Sequence, residues 1–522
     1  MKLPIERILA MANEDYEKAW MESKDFLTME GNLFELKKQG KGHPLRDFMD
    51  MARTKMIELG FEELVLPMFV HEDDVYKEYG PEAALILDRL YYLAGLPRPD
   101  IGVSKEKNEK IKKISPDFQE IDELQDIFRR YKKGDIEADD LIEEMVKNLP
   151  IEEQQATKII DSVFPEFKDL KPVPSKQTLR SHTTALWFLV LAEMVKKQPL
   201  PIQYFIVGPK FRREQKQDAT HLYVSNTLSI AIAVEQISLE DGKRIGKKIA
   251  KSIGFDNVKV ETKLATSKYY APQTEFEVFG QHPITKEWIE IGDGGFYSPV
   301  SLVKYGIDIP VLNIGFGCER IVMIKTEETD IRKLVYPYFY KDISFTDEEI
   351  ANYIQCVEKP KKEEAKEIVN SLYEFAVENK DKNGPISLTA WKGELGWKSL
   401  EIQLSEPDEG ATLLGRAALN ELWVKDGAIE SVEHGSSLKN AKKSDFTYLT
   451  GILNEIVSRV EELAAKEELK TPYEESFRYK FVKRINEVNL DVNDMVREFI
   501  TGNSKKIDVV GPVFVGAKII VE

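Results

Sequence analysis

Apolar residues in the first third of the chain recur at helical spacing. Residues 5–30 read as one polar amphipathic helix. From residue 43 onward, Leu45, Phe48, Met51, Ala52, Met56 and Leu59 line one helical face, and Gly60 ends it. The apolar run Leu64–Met68 then predicts a strand, with Pro67 marking an edge or interface position. Residues 102–170 are dense in Lys, Glu and Asp. Their apolar positions (Phe118, Ile121, Leu124, Ile127, Phe128, Tyr131) keep a helical period, so a helical insertion with a wet face is expected.

Over residues 178–340 the pattern changes. Strands are expected at Tyr204–Phe211, Val224–Val234, Phe276–Phe279, Trp288–Ile291 and Val311–Ile314, and helices at Thr184–Lys196, Leu239–Ile253 and Cys318–Thr326. Residues 341–384 are charged and read as a linker with some helix. Residues 385–522 carry short strands, glycines and a helix around 447–465, which suits one or two small domains. The predicted class is α+β, an antiparallel sheet flanked by helices. The expected parts are an N-terminal helical extension (1–40), a main domain (41–101 and 171–340), the insertion (102–170), the linker, and the C-terminal region.

The chain has 522 residues, 42% hydrophobic, enough for several buried cores. No run approaches the roughly 18 apolar residues that span a bilayer. The start, Met1-Lys2-Leu3-Pro4-Ile5-Glu6, has no apolar signal core, so a cytoplasmic location is expected. Two cysteines, Cys318 and Cys356, exclude a disulfide framework and a four-cysteine zinc site. The net charge of −17 argues against bulk electrostatic binding of nucleic acid. It leaves room for a small basic surface that reads RNA by shape and unstacked bases.

Two short stretches carry the chemistry. Phe211-Arg212-Arg213-Glu214 lies between apolar runs, and Gly315-Phe316-Gly317-Cys318-Glu319-Arg320 opens a helix. An Arg followed two residues later by a Glu can neutralise a phosphate and accept from an adenine amino group. The second stretch brings another Arg to phosphates from a helix start, where backbone N–H groups favour anions. The chain has neither a Walker A motif nor a Gly-x-Gly-x-x-Gly after a strand.

In this order and context the two stretches resemble motifs 2 and 3 of class II aminoacyl-tRNA synthetases. The helix and Pro-ended strand of residues 43–70 resemble motif 1, a dimer-building element in that class. Leu179-Arg180-Ser181-His182-Thr183-Thr184 and Val311-Leu312-Asn313-Ile314-Gly315 are similar to the phenylalanyl-tRNA synthetase-like subclass. Within it the chain most resembles the O-phosphoseryl-tRNA synthetase family of methanogenic archaea. Leu93-Ala94-Gly95-Leu96-Pro97-Arg98-Pro99-Asp100, Ser267-Lys268-Tyr269-Tyr270 and Ile507-Asp508-Val509-Val510-Gly511-Pro512 extend that likeness to nearly the whole chain.

The resemblance implies a two-step ligase that uses ATP and Mg²⁺ to form an aminoacyl-adenylate, then moves the acyl group to a cysteine tRNA. It implies Arg212 on the α-phosphate and substrate carboxylate, Glu214 on adenine, Arg320 on the γ-phosphate and Glu290 as a Mg²⁺ ligand. His221 is left between ATP phosphate, the tRNA end and a structural role, and Arg213 reads as a plain ion-pair partner. His182, Thr184, Thr227, Ser229 and Asn313 fall at amino-acid-binding positions. Residues 385–522 are then the anticodon-binding region, with Tyr448, Trp423 and Phe477 as base stackers or core. A homotetramer is implied, as is a separate pyridoxal phosphate enzyme, a Sep-tRNA:Cys-tRNA synthase, that consumes the product.

The chain departs from the family at Gly292-Asp293-Gly294-Gly295, where Ala-Thr-Phe-Gly is usual, and at Thr183, where Met is usual. A carboxylate about 4 Å from one phosphate charge costs on the order of 4 kcal/mol at an effective dielectric near 20. That is roughly three decades of binding. Asp293 is therefore expected to turn away, bind Mg²⁺, meet the substrate α-amino group, or mark a paralogue for a different amino acid. Gly294 in place of Phe is expected to loosen the site. The remaining alternatives are a non-catalytic tRNA-binding paralogue, although both motif arginines are present, and an adenylate-forming ligase acting on a protein or metabolite.

Overall fold

The computed structural model describes residues 3–27, 36, 40–264, 266–396, 398–466 and 469–522. Two compact units divide the chain, one of residues 41–341 and one of residues 1–40 with 342–522.

The first unit is built on a seven-stranded sheet. Its strands run in the order Glu62–Glu63, Ile202–Phe211, Val224–Ala233, Val311–Gly317, Trp288–Phe296, Phe276–Gln281, Val258–Thr262. The outermost pair, Glu62–Glu63 with Ile202–Phe211, is parallel, and the other neighbours are antiparallel. Alternation along the strands splits the core. Phe205, Leu228, Ile230, Ile314 and Phe316 face the helices Pro44–Glu58, Leu239–Ser252 and Cys318–Thr326. Tyr204, Ile206, Ala231, Ala233 and Val311 face Trp187, Phe188 and Leu191 of the helix Thr184–Met194. The expected α+β class is what is found.

Residues 64–68 are not a strand. The segment between Glu62–Glu63 and Phe69–His71 is irregular, held at one end by Leu64 N–H donating to the Phe205 carbonyl at 2.9 Å. Pro67 has no N–H to give a ladder, and of this apolar run only Leu66 is fully buried, with Val65 and Met68 left exposed. A small sheet that the hydrophobic pattern does not announce joins Phe69–His71, Val173–Leu179 and Tyr92–Gly95. The strand Trp288–Phe296 runs five residues past its expected end, through the glycines.

Helices Lys105–Ile114, Ile121–Lys133, Leu141–Asn148 and Glu153–Val163 close their own core around Phe118, Leu124, Phe128, Met145, Ile159 and Phe164. Gly134 ends the second in the left-handed conformation at φ 91°, the low-cost solution for a residue without Cβ.

In the second unit, residues 342–384 are not a linker. Helices Asp347–Asn352 and Glu363–Asn379 and the strand Ile354–Cys356 bury Ile350, Ile354, Leu372 and Ala376 in the same core as Leu400, Ile452 and Val515. Thr346 caps the first helix, its hydroxyl accepting from Glu349 N–H at 3.2 Å. The strands are longer than expected. Ile386–Leu395, Lys398–Glu406, Gly511–Val521 and Tyr473–Val482 form one four-stranded sheet. A second joins Lys442–Thr447, Glu421–Lys425, Ala428–Val432 and Ile507–Asp508, and one continuous core serves both. The expected helix 5–30 breaks into Ile5–Glu14 and Tyr16–Ser23, because the Asp15 carboxylate accepts from Lys18 N–H and caps the second. Residues 28–30 of that expectation lie outside the described residues.

Candidate active site

Arg212 follows directly on the strand Ile202–Phe211, its N–H donating at 2.9 Å to the carbonyl of Tyr223, the residue just before the returning strand. Its Nε donates to the Ser181 carbonyl at 3.3 Å, and its Nη2 lies 2.7 Å from His182 Nε2. A guanidinium has donors only, so His182 Nε2 is the acceptor and the imidazole is neutral. The remaining N–H, on Nδ1, then donates to Ser181 Oγ at 2.9 Å. Burial first, then the charges of Arg212, Lys210 and Arg89, hold the His182 pKa well below its usual value.

Arg180 was not singled out from the sequence. It is 2% exposed and donates to the carbonyls of Leu66 (3.1 Å), Pro67 (2.9 Å) and Pro209 (2.8 Å). It therefore ties the irregular segment around Pro67 to the strand that delivers Arg212.

Glu214 is already engaged, with its Oε1 2.7 Å from Arg89 Nη2. Arg213 grips the Asp88 carbonyl and carboxylate, both at 2.8 Å, in the ion-pair role expected of it. His221 sits on an exposed turn, its Nδ1 3.0 Å from Asp218 Oδ1, which also accepts from the backbone N–H groups of Thr220 and His221. Those bonds hold the Asp218 carboxyl far below the usual range.

Gly317 precedes the helix Cys318–Thr326. Glu319, 3% exposed, accepts from Asn226 N–H (2.6 Å) and Asn226 Nδ2 (2.8 Å), fixing the helix start to the strand Val224–Ala233. Arg320 remains exposed. Its Nη1 donates to the Glu290 carbonyl at 3.2 Å and lies 3.9 Å from the Glu290 carboxylate. No group of three His, Cys, Asp or Glu suited to a metal occurs among the described residues. Glu290 alone fits a Mg²⁺ ion carried mainly by nucleotide phosphates.

On the Trp187 face of the sheet lie Thr184, Thr227, Ser229 and Asn313, all buried. Ser229 Oγ accepts from Trp187 Nε1 at 2.9 Å. Asn313 is held twice, with Oδ1 accepting from Tyr270 OH (2.8 Å) and Nδ2 donating to the Ile230 carbonyl (2.7 Å). The Thr227 hydroxyl donates to the Phe316 carbonyl at 3.1 Å. Asp293 does not turn away. It pairs across the sheet with Gly315, and a Cβ on that glycine would stand 3.5 Å from Asp293 Oδ1 and 3.9 Å from Thr227 Oγ1. Burial first, then Glu275 and Glu290, push its carboxyl up to about 6, with Lys210 opposing.

The expected loosening at Gly294 is absent. Gly294 faces the opposite core, and a Cβ there would meet the Asn313 carbonyl and the Phe276 ring, each at 2.8 Å. Phe276 fills the volume a larger residue would take. Sequence reading also missed Lys210, which shares the face of Thr227 and lies two residues before Arg212, the spacing that keeps strand side chains on one side.

An antiparallel sheet with an Arg at the end of one strand and a Gly-led helix carrying a second Arg defines a class II aminoacyl-tRNA synthetase. Residues 99–348 match the family model of the tRNA synthetases class II core domain (F). The chain is 38% identical over 539 residues to the O-phosphoserine--tRNA(Cys) ligase of Methanococcus maripaludis, covering 99% of both chains. It is 36% identical over 542 residues to that of Methanocaldococcus jannaschii, again 99% of both. For Methanocorpusculum labreanum the figure is 37% over 525 residues and 98% of both. The chain belongs to the O-phosphoserine--tRNA(Cys) ligase family. No helix among the described residues is long and apolar enough to cross a membrane.

Proposed function

We propose that the protein ligates O-phosphoserine to a cysteine tRNA through a phosphoseryl-adenylate, at the expense of ATP. The observation that carries this reading is Arg212, fixed on neutral His182 beside a floor of Ser229, Asn313 and Thr227, in a chain related end to end to ligases of that name.

The reacting carboxylate is itself the nucleophile, so no general base is required. A carboxylate oxygen bonds to the α-phosphorus and the bond to the pyrophosphate oxygen breaks. The barrier lies in bringing two anions together, and preorganised positive charge lowers it. Arg212 supplies that charge where carboxylate and α-phosphate meet. Arg320 takes the γ-phosphate, and the free oxygen of Glu214 accepts from the adenine amino group. Glu290, together with the phosphate oxygens, would hold Mg²⁺, which would supply neutralising charge to the pyrophosphate. His221 lies on the motif 2 return, exposed and paired with Asp218.

Residues 385–522 bind the anticodon in this reading. Tyr448 is removed from the candidate stackers, because it is fully buried with its hydroxyl on the Val510 carbonyl. Trp423 and Phe477 stay partly exposed. A cytoplasmic homotetramer feeding a pyridoxal phosphate enzyme completes the proposal.

The test is ATP–pyrophosphate exchange with O-phosphoserine and each standard amino acid, followed by charging of a cysteine tRNA transcript. Exchange with phosphoserine and charging of that tRNA support the reading. Exchange only with another amino acid makes the chain a retuned paralogue, and exchange with none makes it a non-catalytic one.

A further inference from the structure

Lys210 is a cation without a partner in the middle of this site. It pairs across the sheet with Ser225, its side chain on the face of Thr227 and Ser229. Among the described residues its ammonium makes no hydrogen bond and no ion pair. The charges acting on it are Arg212, Asp293 and Glu319, and Glu319 is committed to Asn226. Lys210 is partly accessible yet closely surrounded by protein.

The neutral donors around it are largely spent. The Thr227 hydroxyl gives its proton to Phe316, and Asn313 gives one amide proton to Ile230. Ser229 keeps its hydroxyl proton, because it accepts from Trp187. What remains is few donors for a doubly charged phosphate, with the Asp293 carboxylate beside them and Arg212 engaged on the reacting carboxylate.

We propose that Lys210 is a specificity-determining residue, its ammonium pairing with the phosphate of bound phosphoserine and offsetting Asp293. The inference rests on the phosphoserine reading above. Burial and Arg212 lower the Lys210 pKa to about 8, which leaves it mostly charged at neutral pH. Such a cation, partly stripped of water and lacking an internal partner, gives up little when an anion arrives.

The experiment is exchange kinetics on the full-length protein, wild type against Lys210→Met, Lys210→Gln, Lys210→Arg and the double variant Lys210→Met with Asp293→Asn. Folding is checked by circular dichroism. The Met and Gln variants are expected to raise KM for phosphoserine roughly 30-fold or more, with KM for ATP held within about threefold. Lys210→Arg keeps the charge and recovers most of the loss. The double variant recovers roughly tenfold over Lys210→Met, because the opposing carboxylate is gone. An unchanged KM for phosphoserine, or a rise confined to ATP, overturns the inference. A wild type that exchanges another amino acid and not phosphoserine defeats the functional reading itself. A wild type active on phosphoserine with indifferent Lys210 variants defeats only this inference.

Discussion

Arg212 Nη2 and His182 Nε2 are 2.7 Å apart, and the direction of that bond fixes a tautomer. The arginine can only donate, so the imidazole must stay neutral with its proton on Nδ1, where Ser181 Oγ receives it. The guanidinium proposed to meet the reacting carboxylate is thereby aimed by a side chain that itself carries no charge.

Replacing His182 with Ala should release Arg212 without removing it. The expected result is a fall of roughly 10- to 100-fold in the exchange rate constant, with KM for ATP changing less. A second signature comes from linkage. A histidine held neutral in the folded state binds fewer protons than in the unfolded state below about pH 6.5, so it costs stability as pH falls through that value. Urea midpoints at pH 7.5 and 5.5 should draw together in the variant relative to wild type.

Asp293 makes the opposite prediction. Its carboxyl is raised to about 6 in the folded protein, so the folded state holds a proton that the unfolded chain has released. Stability from this group is therefore full below about pH 4 and is lost as pH rises through 6. Asp293→Asn should be more stable than wild type at pH 8 by about 1–3 kcal/mol and indistinguishable near pH 4. Urea unfolding at the two pH values measures this. The same variant should bind phosphoserine more tightly at pH 8, since a repelling charge is gone.

Much of this arrangement was legible in the residue order. Ile202–Phe211 and Val224–Ala233 are long apolar runs that turn sharply polar at their ends, so strand and loop separate cleanly. The helix after Gly317 announced itself in the same way. The strand Val173–Leu179 did not, because Val173 through Gln177 are all exposed and no alternation is written into them. Its pairing depends on backbone partners far along the chain. Residues 341–370 misled by charge, since their sparse apolar positions are spaced for helix faces that a distant sheet covers. At the site, Arg212 and Arg320 were readable from spacing, whereas Arg180, Arg89 and Lys210 were not. Their importance lies in what they touch, or in what they fail to touch.

Arg180 should prove structural. Its guanidinium satisfies three carbonyls in a dry setting. Arg180→Met keeps the apolar stem but leaves those oxygens unpaired, at a cost of roughly 1–3 kcal/mol for each group that water cannot reach. Chemical denaturation should show a loss of about 3 kcal/mol or more. Lys should rescue it poorly, because one ammonium cannot copy the planar fork.

Gly294 offers the sharpest contrast between residue type and surroundings. Reading Phe at this position in relatives suggests a void here, and a void would accept a side chain without penalty. Across the sheet Gly294 pairs with Ile314 and Phe276, and the space a Cβ would enter is taken by the Asn313 carbonyl and the Phe276 ring, each 2.8 Å away. The backbone oxygen cannot swing aside, because it belongs to a strand paired on both edges. Gly294→Ala should therefore destabilise the protein by roughly 1–3 kcal/mol through overpacking, and Gly294→Phe should cost more. Adding Phe276→Ala to Gly294→Phe should recover part of the loss, because the two rings compete for one volume. Thermal melting of the single and double variants decides the matter, and a Gly294→Phe protein as stable as wild type would show that the pocket is open after all.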